Sequence, residues 1–251
     1  MFAELAILRG GAAALDVPLD EAQLGQFRRY GELLLATNEQ MNLTAITEPA
    51  QVEALHFLDA LTLIPAIRAW CQANNTDDPT LIDVGSGAGV PGIPLKIAFP
   101  SLRVTLLDAT GKRVAFLQRT VEALGLRGIG AYQGRAEELG RDREWREQFD
   151  LVTARAVARL PTLLEWCLPL ARVGGLLLAP KAGGLTAEVL YGERAAPLLG
   201  GHVRGLRPVE LPELPGRALV LIDKTGRTPP RYPRGGGLPT KEPLGTSASS
   251  S

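Results

Sequence analysis

The run Leu81–Gly92, LIDVGSGAGVPG, constrains this chain more than any other segment, because an apolar stretch ends in an acid and breaks at once into glycines. Glycine admits the positive-φ backbone of a tight strand-to-helix turn and leaves backbone N–H groups uncovered at the helix start. Such a junction belongs to alternating α/β architecture, and the downstream sequence supplies the alternation. Apolar runs predict strands at Leu81–Val84, Arg103–Leu107, Ile129–Tyr132, Asp150–Thr153 and Gly175–Ala179. Amphipathic segments between and after them predict helices at Ile93–Ala98, Lys112–Leu124, Thr162–Ala171 and Thr186–Leu199. That succession implies a mostly parallel sheet covered on both faces. Two last strands, near His202–Pro208 and Ala218–Asp223, are joined by a link too short for a helix, which predicts an antiparallel hairpin at one edge.

Upstream, Leu24, Phe27, Gly31, Leu34 and Leu35 recur at helical spacing, and Val52, Leu55, Leu58, Leu61 and Ile64 repeat the pattern. Thr47 is the expected N-cap of the second helix, with Pro49 in its first turn. After Thr225 the composition turns to Pro, Gly, Arg and finally Ser, which reads as an arm or a disordered tail. The chain thus divides into an N-terminal helical segment (1–79), an α/β domain (80–224) and a basic tail (225–251).

At 251 residues and 45% hydrophobic content the chain can bury a substantial core. It has no uninterrupted apolar stretch near the roughly 18–20 residues of a membrane span, and its first residues lack a basic n-region. The expectation is a soluble, cytoplasmic protein without membrane association. Two cysteines, Cys71 and Cys167, and two histidines, His56 and His202, build neither a disulfide framework nor a zinc site, so no metal is expected. Lys+Arg and Asp+Glu both number 27, which argues against a wholly basic nucleic-acid coat. Beyond Gly200, however, eight basic residues face four acidic ones, a bias compatible with a phosphate-rich substrate.

Gly87–Gly92 satisfies GxGxxG, which leaves a dinucleotide admissible. Two features favour S-adenosylmethionine. Asp83 at the strand end can address a methionine ammonium, where an anion would oppose a pyrophosphate. Gly85, Gly87 and Gly89 form a GxGxG turn beginning two residues later. Asp108 closes the next strand, where a carboxylate accepts from ribose hydroxyls of either cofactor and can also cap the following helix. Ala136 and Glu137 follow the third strand, as an adenine contact or a solvated helix start. Arg155 follows the fourth strand at the carboxyl edge, where a guanidinium suits phosphate, a guanine edge or a neighbouring carboxylate. Lys181 closes the fifth strand on the same rim. His56 and Asp59, three apart on a helix, read as structural.

Taken in order, the motifs Asn42–Thr44, His56–Asp59, Asp83–Pro94, Leu107–Asp108, Gly111–Arg113, Phe116–Leu117, Arg135–Glu137, Ala154–Ala156, Pro180–Lys181 and Tyr232–Arg234 resemble the RsmG (GidB) family from about Leu19 to Leu244. The resemblance implies a Rossmann-like methyltransferase fold and S-adenosylmethionine-dependent methylation of guanine N7 in 16S ribosomal RNA. It places Gly85, Val90, Asp108, Ala109, Thr110, Ala136, Glu137 and Arg155 around the cofactor, to which the loop chemistry adds Asp83 and Gly87. Arg155 is the candidate catalytic residue, and Arg113, Lys181, Arg231 and Arg234 are candidates for RNA contact. The expected partner is 16S RNA or the small ribosomal subunit, bound by a monomer. Guanine N7 carries an unprotonated lone pair, so no general base is expected. Three rivals share parts of the pattern: a small-molecule methyltransferase, a nicotinamide-dependent oxidoreductase that binds NAD, and a noncatalytic RNA-binding protein.

Overall fold

A computed structural model describes residues 2, 4–155, 158–183 and 186–246. Contacts group the chain into two compact units, Met1–Gln133 with Val209–Pro215 and Gly134–Pro208 with Gly216–Ser251. The sequence division at 79 and 224 follows composition and stands as a proposal beside these contact-based units.

The first unit opens with α1 (Ala6–Ala14), a helix that the sequence pattern did not predict. Gly10 and Gly11 lower its intrinsic propensity, so tertiary contacts hold it. Glu53 Oε1 accepts the Leu8 N–H at 2.7 Å, and a Cβ at Gly11 would stand 2.4 Å from Leu58 Cδ2. Helix α2 (Glu21–Met41) starts at a full capping box: Asp20 Oδ1 accepts the Gln23 N–H at 2.7 Å, and Gln23 Oε1 accepts the Asp20 N–H at 2.9 Å. Its buried face comprises Leu24, Phe27, Tyr30, Gly31, Leu34 and Asn38, whereas Leu35 is only half-buried.

The second apolar stretch forms α3 (Pro49–Val52), a π-helical segment Glu53–Leu58, α4 (Asp59–Leu61) and α5 (Ile64–Asn74). Glu48, not Thr47, occupies the N-cap position and makes no side-chain cap bond. The proline at N1 already supplies the fixed φ that starts the helix. Pro49–Asn74 is apolar and long enough to cross a membrane, but 78% of its most apolar window is buried inside the protein, so it is a core helix. Phe57 gathers the rings of Phe2, Phe27 and Tyr30 at centroid distances of 5.9, 5.2 and 5.4 Å.

Beyond this helical layer come β1 (Thr80–Val84), α6 (Gly92–Ala98), β2 (Arg103–Asp108), α7 (Gly111–Ala123) and β3 (Ile129–Gln133). The strands lie in the order β3-β2-β1 and pair in parallel. Asp83 stands opposite Leu106, and Asp108 opposite Gln133. Parallel pairing therefore puts the carboxyl ends of all three strands on one rim.

The second unit holds α8 (Ala136–Leu139), β4 (Phe149–Thr153), α9 (Leu160–Cys167), β5 (Ala171–Ala182), α10 (Thr186–Ala195), a 3₁₀ turn Ala196–Leu199, β6 (Gly201–Pro208), β7 (Arg217–Lys224) and α11 (Leu238–Lys241). Its strand order is β4-β5-β7-β6, with β4 parallel to β5 and β7 antiparallel to both β5 and β6. The predicted antiparallel hairpin is present. Helix α9 stops four residues before its expected end, because Pro169 has no N–H with which to continue it, and β5 starts correspondingly early. Pro197 likewise tightens the end of the α10 region into the 3₁₀ turn.

The segment after Thr225, expected as an arm or a disordered tail, is an arm packed within this unit through Thr246. Arg146 donates to the carbonyls of Tyr232 at 2.8 Å, Thr228 at 2.6 Å, Pro229 at 3.3 Å and Gly140. Arg141 Nε reaches the Pro233 carbonyl at 2.7 Å. Lys224, with a fully buried side chain, donates to Leu168 O at 2.7 Å and to Thr228 Oγ1, and lies 3.3 Å from Glu147 Oε1.

Candidate functional site

The loop between β1 and α6 is held by backbone and side-chain hydrogen bonds together. Gly85 and Ser86 N–H both donate to the Leu107 carbonyl, at 2.8 and 2.9 Å, and so fasten the loop to the end of β2. Ser86 Oγ donates to the Asp83 carbonyl at 2.8 Å, and Ser86 O accepts from Gly89 and Val90 at 2.7 and 3.2 Å. Positive φ at Gly85, Gly87 and Gly89 (71°, 56° and 93°) makes this winding possible.

Asp83 is fully buried, and its Oδ2 accepts the Gly92 N–H at 3.0 Å, tying the end of β1 to the first residue of α6. A Cβ there would lie 2.3 Å from Leu106 Cδ2 and 3.0 Å from Asp83 Oδ2, so any larger residue would displace the Leu106 side chain and crowd the Asp83 carboxylate. Asp108, 4% exposed, is shared between two loops. Its Oδ2 accepts the Gly87 N–H at 3.0 Å and its Oδ1 the Thr110 N–H at 2.8 Å. Helix α7 is capped at Thr110 rather than Asp108; the aspartate holds the residue before the helix instead. Arg113 Nη1 stands 3.7 Å from Asp108 Oδ2, and the Ala109 carbonyl accepts from Gln133 Nε2 at 3.3 Å. Val90, 4% exposed, closes the loop against the core.

This rim fits an adenosyl cofactor. A Cβ placed on Gly87 meets nothing nearer than Gly85 O at 3.8 Å, so the loop presents an open backbone face. Each carboxylate oxygen of Asp108 uses one lone pair on a backbone N–H and keeps another for a hydroxyl donor, which suits a ribose diol. The first unit therefore brings together Asp83, Gly85, Gly87, Val90, Asp108, Ala109, Thr110 and Arg113.

The remaining expected residues belong to the second unit. Ala136 is the first residue of α8 and is buried; Glu137 follows it, with its carboxylate 3.8 Å from Arg135 Nη1. Arg155 is half-buried just past the end of β4. Lys181, near the end of β5, donates to Glu188 Oε1 at 2.6 Å and to Ala158 O at 3.0 Å. Arg231 is exposed, its guanidinium 5.1 Å from the Tyr232 ring centroid. Arg234 is committed to the fully buried Glu165: Nε lies 2.9 Å from Oε1, Nη2 lies 2.8 Å from Oε2, and its backbone N–H adds a third bond at 2.7 Å. These bonds to the Glu165 carboxylate raise the Arg234 pKa further above its ordinary value.

Sequence motifs with no assigned chemistry meet in the helical layer. His56 Nε2 lies 2.9 Å from Thr44 Oγ1, His56 Nδ1 lies 3.2 Å from Leu55 O, and Asn38 Oδ1 accepts the Thr44 N–H at 2.8 Å. The ring is 3% exposed, in keeping with a structural histidine. Tyr30, absent from the sequence-derived site, donates its hydroxyl to the Ala88 carbonyl of the glycine loop at 2.6 Å. The only sequence signal for it is a polar-tipped ring on an otherwise apolar helix face. Among the described residues no group of three or more His, Cys, Asp or Glu side chains is assembled for a metal.

A family model described as rRNA small subunit methyltransferase G (GidB) matches residues 23–209. The chain is 48% identical over 227 residues to the ribosomal RNA small subunit methyltransferase G of Exiguobacterium sp. strain AT1b, covering 90% of this chain and 93% of that protein. It is 47% identical over 234 residues to the protein of that name from Roseiflexus castenholzii, covering 93% and 97%. Among solved structures, a mutant of MtNAS in complex with S-adenosylmethionine superposes with a TM-score of 0.53 at 15% identity, covering 88% of this chain and 78% of that one. MtNAS with MTA and tNA gives a TM-score of 0.54 at 14% identity, covering 88% and 76%. At those identities the likeness concerns the fold, a mostly parallel Rossmann-like sheet with an antiparallel β5-β7-β6 edge. The chain belongs to the rRNA small subunit methyltransferase G family of S-adenosylmethionine-dependent methyltransferases.

Proposed function

We propose that the chain methylates N7 of a guanine in 16S ribosomal RNA of the small ribosomal subunit, acting as a cytoplasmic monomer by positioning rather than by proton transfer. The observation that carries this reading is the family match over residues 23–209, which includes the Asp83–Asp108 rim. When bound, S-adenosylmethionine supplies an electrophilic methyl group.

The chain's own residues divide the remaining work. Asp83 and the loop amides receive the methionine end, Asp108 accepts from the ribose, and Ala109 and Thr110 meet the adenine; Ala136 and Glu137 are the candidate adenine contacts that the second unit contributes. Arg155 orients the guanine, a task for its planar donor fork. The N7 lone pair is already unprotonated, so aligning it is the demand on the enzyme; orientation of this kind contributes up to about 7–11 kcal/mol. A guanine inside an A-form helix presents N7 in a deep groove that side chains do not enter, so the target base lies in a loop or is extruded. Lys181 and Arg234 pair closely with Glu188 and Glu165 at 2.6 and 2.8 Å, whereas Arg113 stands 3.7 Å from Asp108 without a hydrogen bond to it and Arg231 is exposed, so these two are the stronger candidates for phosphate contact.

Labelled methyl transfer to small-subunit RNA and to particles lacking native methylation, with the modified base mapped, tests the reading. Incorporation at guanine N7 of 16S RNA is the expected result. No incorporation across a range of salt and magnesium would overturn it.

A further inference from the structure

Helix α2 lies alongside α6 and is pinned at two points, near the end of α6 and ahead of its start. Gln23 Nε2 donates to the Ile97 carbonyl at 2.8 Å near the end of α6, and Tyr30 Oη donates to the Ala88 carbonyl at 2.6 Å ahead of its start. Gln23 and Tyr30 are seven residues apart, two helical turns or about 10.5 Å, so one face of α2 carries both pins. A third, Gln26 Nε2 to Leu124 O at 3.0 Å, fastens the same helix just past the end of α7. Helices α6 and α7 are the ones that begin at the Asp83–Gly92 loop and at the Asp108–Thr110 turn.

Tyr30 differs from the other two pins in where it acts. Gln23 and Gln26 hold distal helix ends, whereas Tyr30 holds the glycine loop itself, at the residue between Gly87 and Gly89. Its ring has no solvent exposure and is fixed by Phe57, whose centroid lies 5.4 Å away at 29°. The hydroxyl therefore has little freedom to follow a moving loop. Nor can the Ala88 carbonyl, in a residue 7% exposed, readily exchange that donor for water. Glycines at 85, 87 and 89 give the loop many accessible backbone states, and a buried, rigidly aimed donor selects among them.

We infer that Tyr30 is a positioning residue for the cofactor, setting the conformation of the glycine loop through the Ala88 carbonyl. The N-terminal helical layer would then belong to the cofactor site as well as to the core. This inference rests on the S-adenosylmethionine reading of the loop.

The test is calorimetric titration of S-adenosylmethionine into the full chain, wild type, Tyr30→Phe and Leu34→Ala, with Tm measured for each. Tyr30→Phe keeps the ring and removes only the donor; Leu34→Ala removes packing one turn further along α2 and leaves the donor in place. The expected result is a Kd raised roughly five- to tenfold in Tyr30→Phe, the loss of one hydrogen bond to a buried acceptor. Leu34→Ala is expected to show a lower Tm with Kd near the wild-type value. Under turnover, Tyr30→Phe is expected to raise KM for the cofactor more than it lowers kcat. Unchanged affinity in Tyr30→Phe, or equal weakening in both variants, would overturn the assignment of Tyr30. Absence of binding by the wild-type chain would instead overturn the cofactor reading on which it rests.

Discussion

Asp108 accepts the Gly87 N–H through Oδ2 at 3.0 Å and the Thr110 N–H through Oδ1 at 2.8 Å, so one buried carboxylate joins the loops that follow two neighbouring strands. Replacing it with asparagine sets an amide N–H₂ against one of those N–H donors. Asp108→Asn is expected to weaken S-adenosylmethionine binding by about tenfold or more and to lower Tm, since bonds to a charged acceptor are worth about 1.5–3 kcal/mol each. Calorimetric titration beside a thermal melt measures both, and wild-type affinity in this variant would remove Asp108 from the site.

Arg155 stands just past the end of β4 and is the proposed guanine-orienting residue. Arg155→Lys keeps the charge and loses the planar fork, so methyl transfer at saturating RNA is expected to fall about tenfold or more while RNA affinity changes little. Single-turnover kinetics separates the two quantities. Wild-type turnover would exclude the assignment.

Arg231 and Arg234, three residues apart on the basic arm, have opposite expected behaviour. Arg234→Ala leaves Glu165 as a buried carboxylate without its ion-pair partner, and is expected to cost about 3–5 kcal/mol in urea unfolding. Arg231→Ala removes an exposed cation and is expected to leave the unfolding midpoint unchanged while reducing the salt dependence of RNA binding by roughly one phosphate contact. A stability loss in Arg231→Ala, or none in Arg234→Ala, would contradict the division.

Burial lowers the Lys224 pKa from 10.5 to about 8, against the opposing pull of Glu147. Above about pH 8 the folded state has released this proton while the unfolded chain still holds it, so the unfolded state binds more protons and stability rises with pH through this window. The gain from this group reaches about 3 kcal/mol at the top of the window, at 1.36 kcal/mol per pKa unit. Urea midpoints measured from pH 7 to pH 10 are expected to rise relative to those of Lys224→Met. A wild-type minus variant difference that stays flat or falls with pH would show that the site is not desolvated.

Local chemistry explains what could be read from the sequence by itself. Glycines after an acidic strand end admit left-handed φ without a steric penalty, and apolar periods of two and 3.6 select strand or helix within a few residues. The parallel strands, the loop from Asp83 to Gly92, the place of Asp108 and the membership of a family were therefore legible. Helix α1 was not, since its own glycines oppose it and Glu53 and Leu58, more than forty residues away, hold it. The arm was legible only as one of two alternatives, since its Pro, Gly and Arg composition is that of a tail as much as of an arm until Arg146 and Glu165 supply its partners.

The same physics separates the site residues. Sequence placed Arg234, Lys181 and Arg231 alike as cations near a phosphate-rich substrate, because charge is a property of the residue. Whether a cation is spent on a carboxylate depends on which strand or helix comes to lie beside it, and only the tertiary structure decided that Arg234 meets Glu165 and Lys181 meets Glu188. Tyr30 shows the limit from the other side: its ring follows the helical period, but the carbonyl that its hydroxyl meets is 58 residues away in the chain. Short-range preferences determined the elements and the cofactor loop, and long-range packing decided which polar groups meet, because a hydrogen bond requires its two ends in one place and the local pattern specifies only one of them.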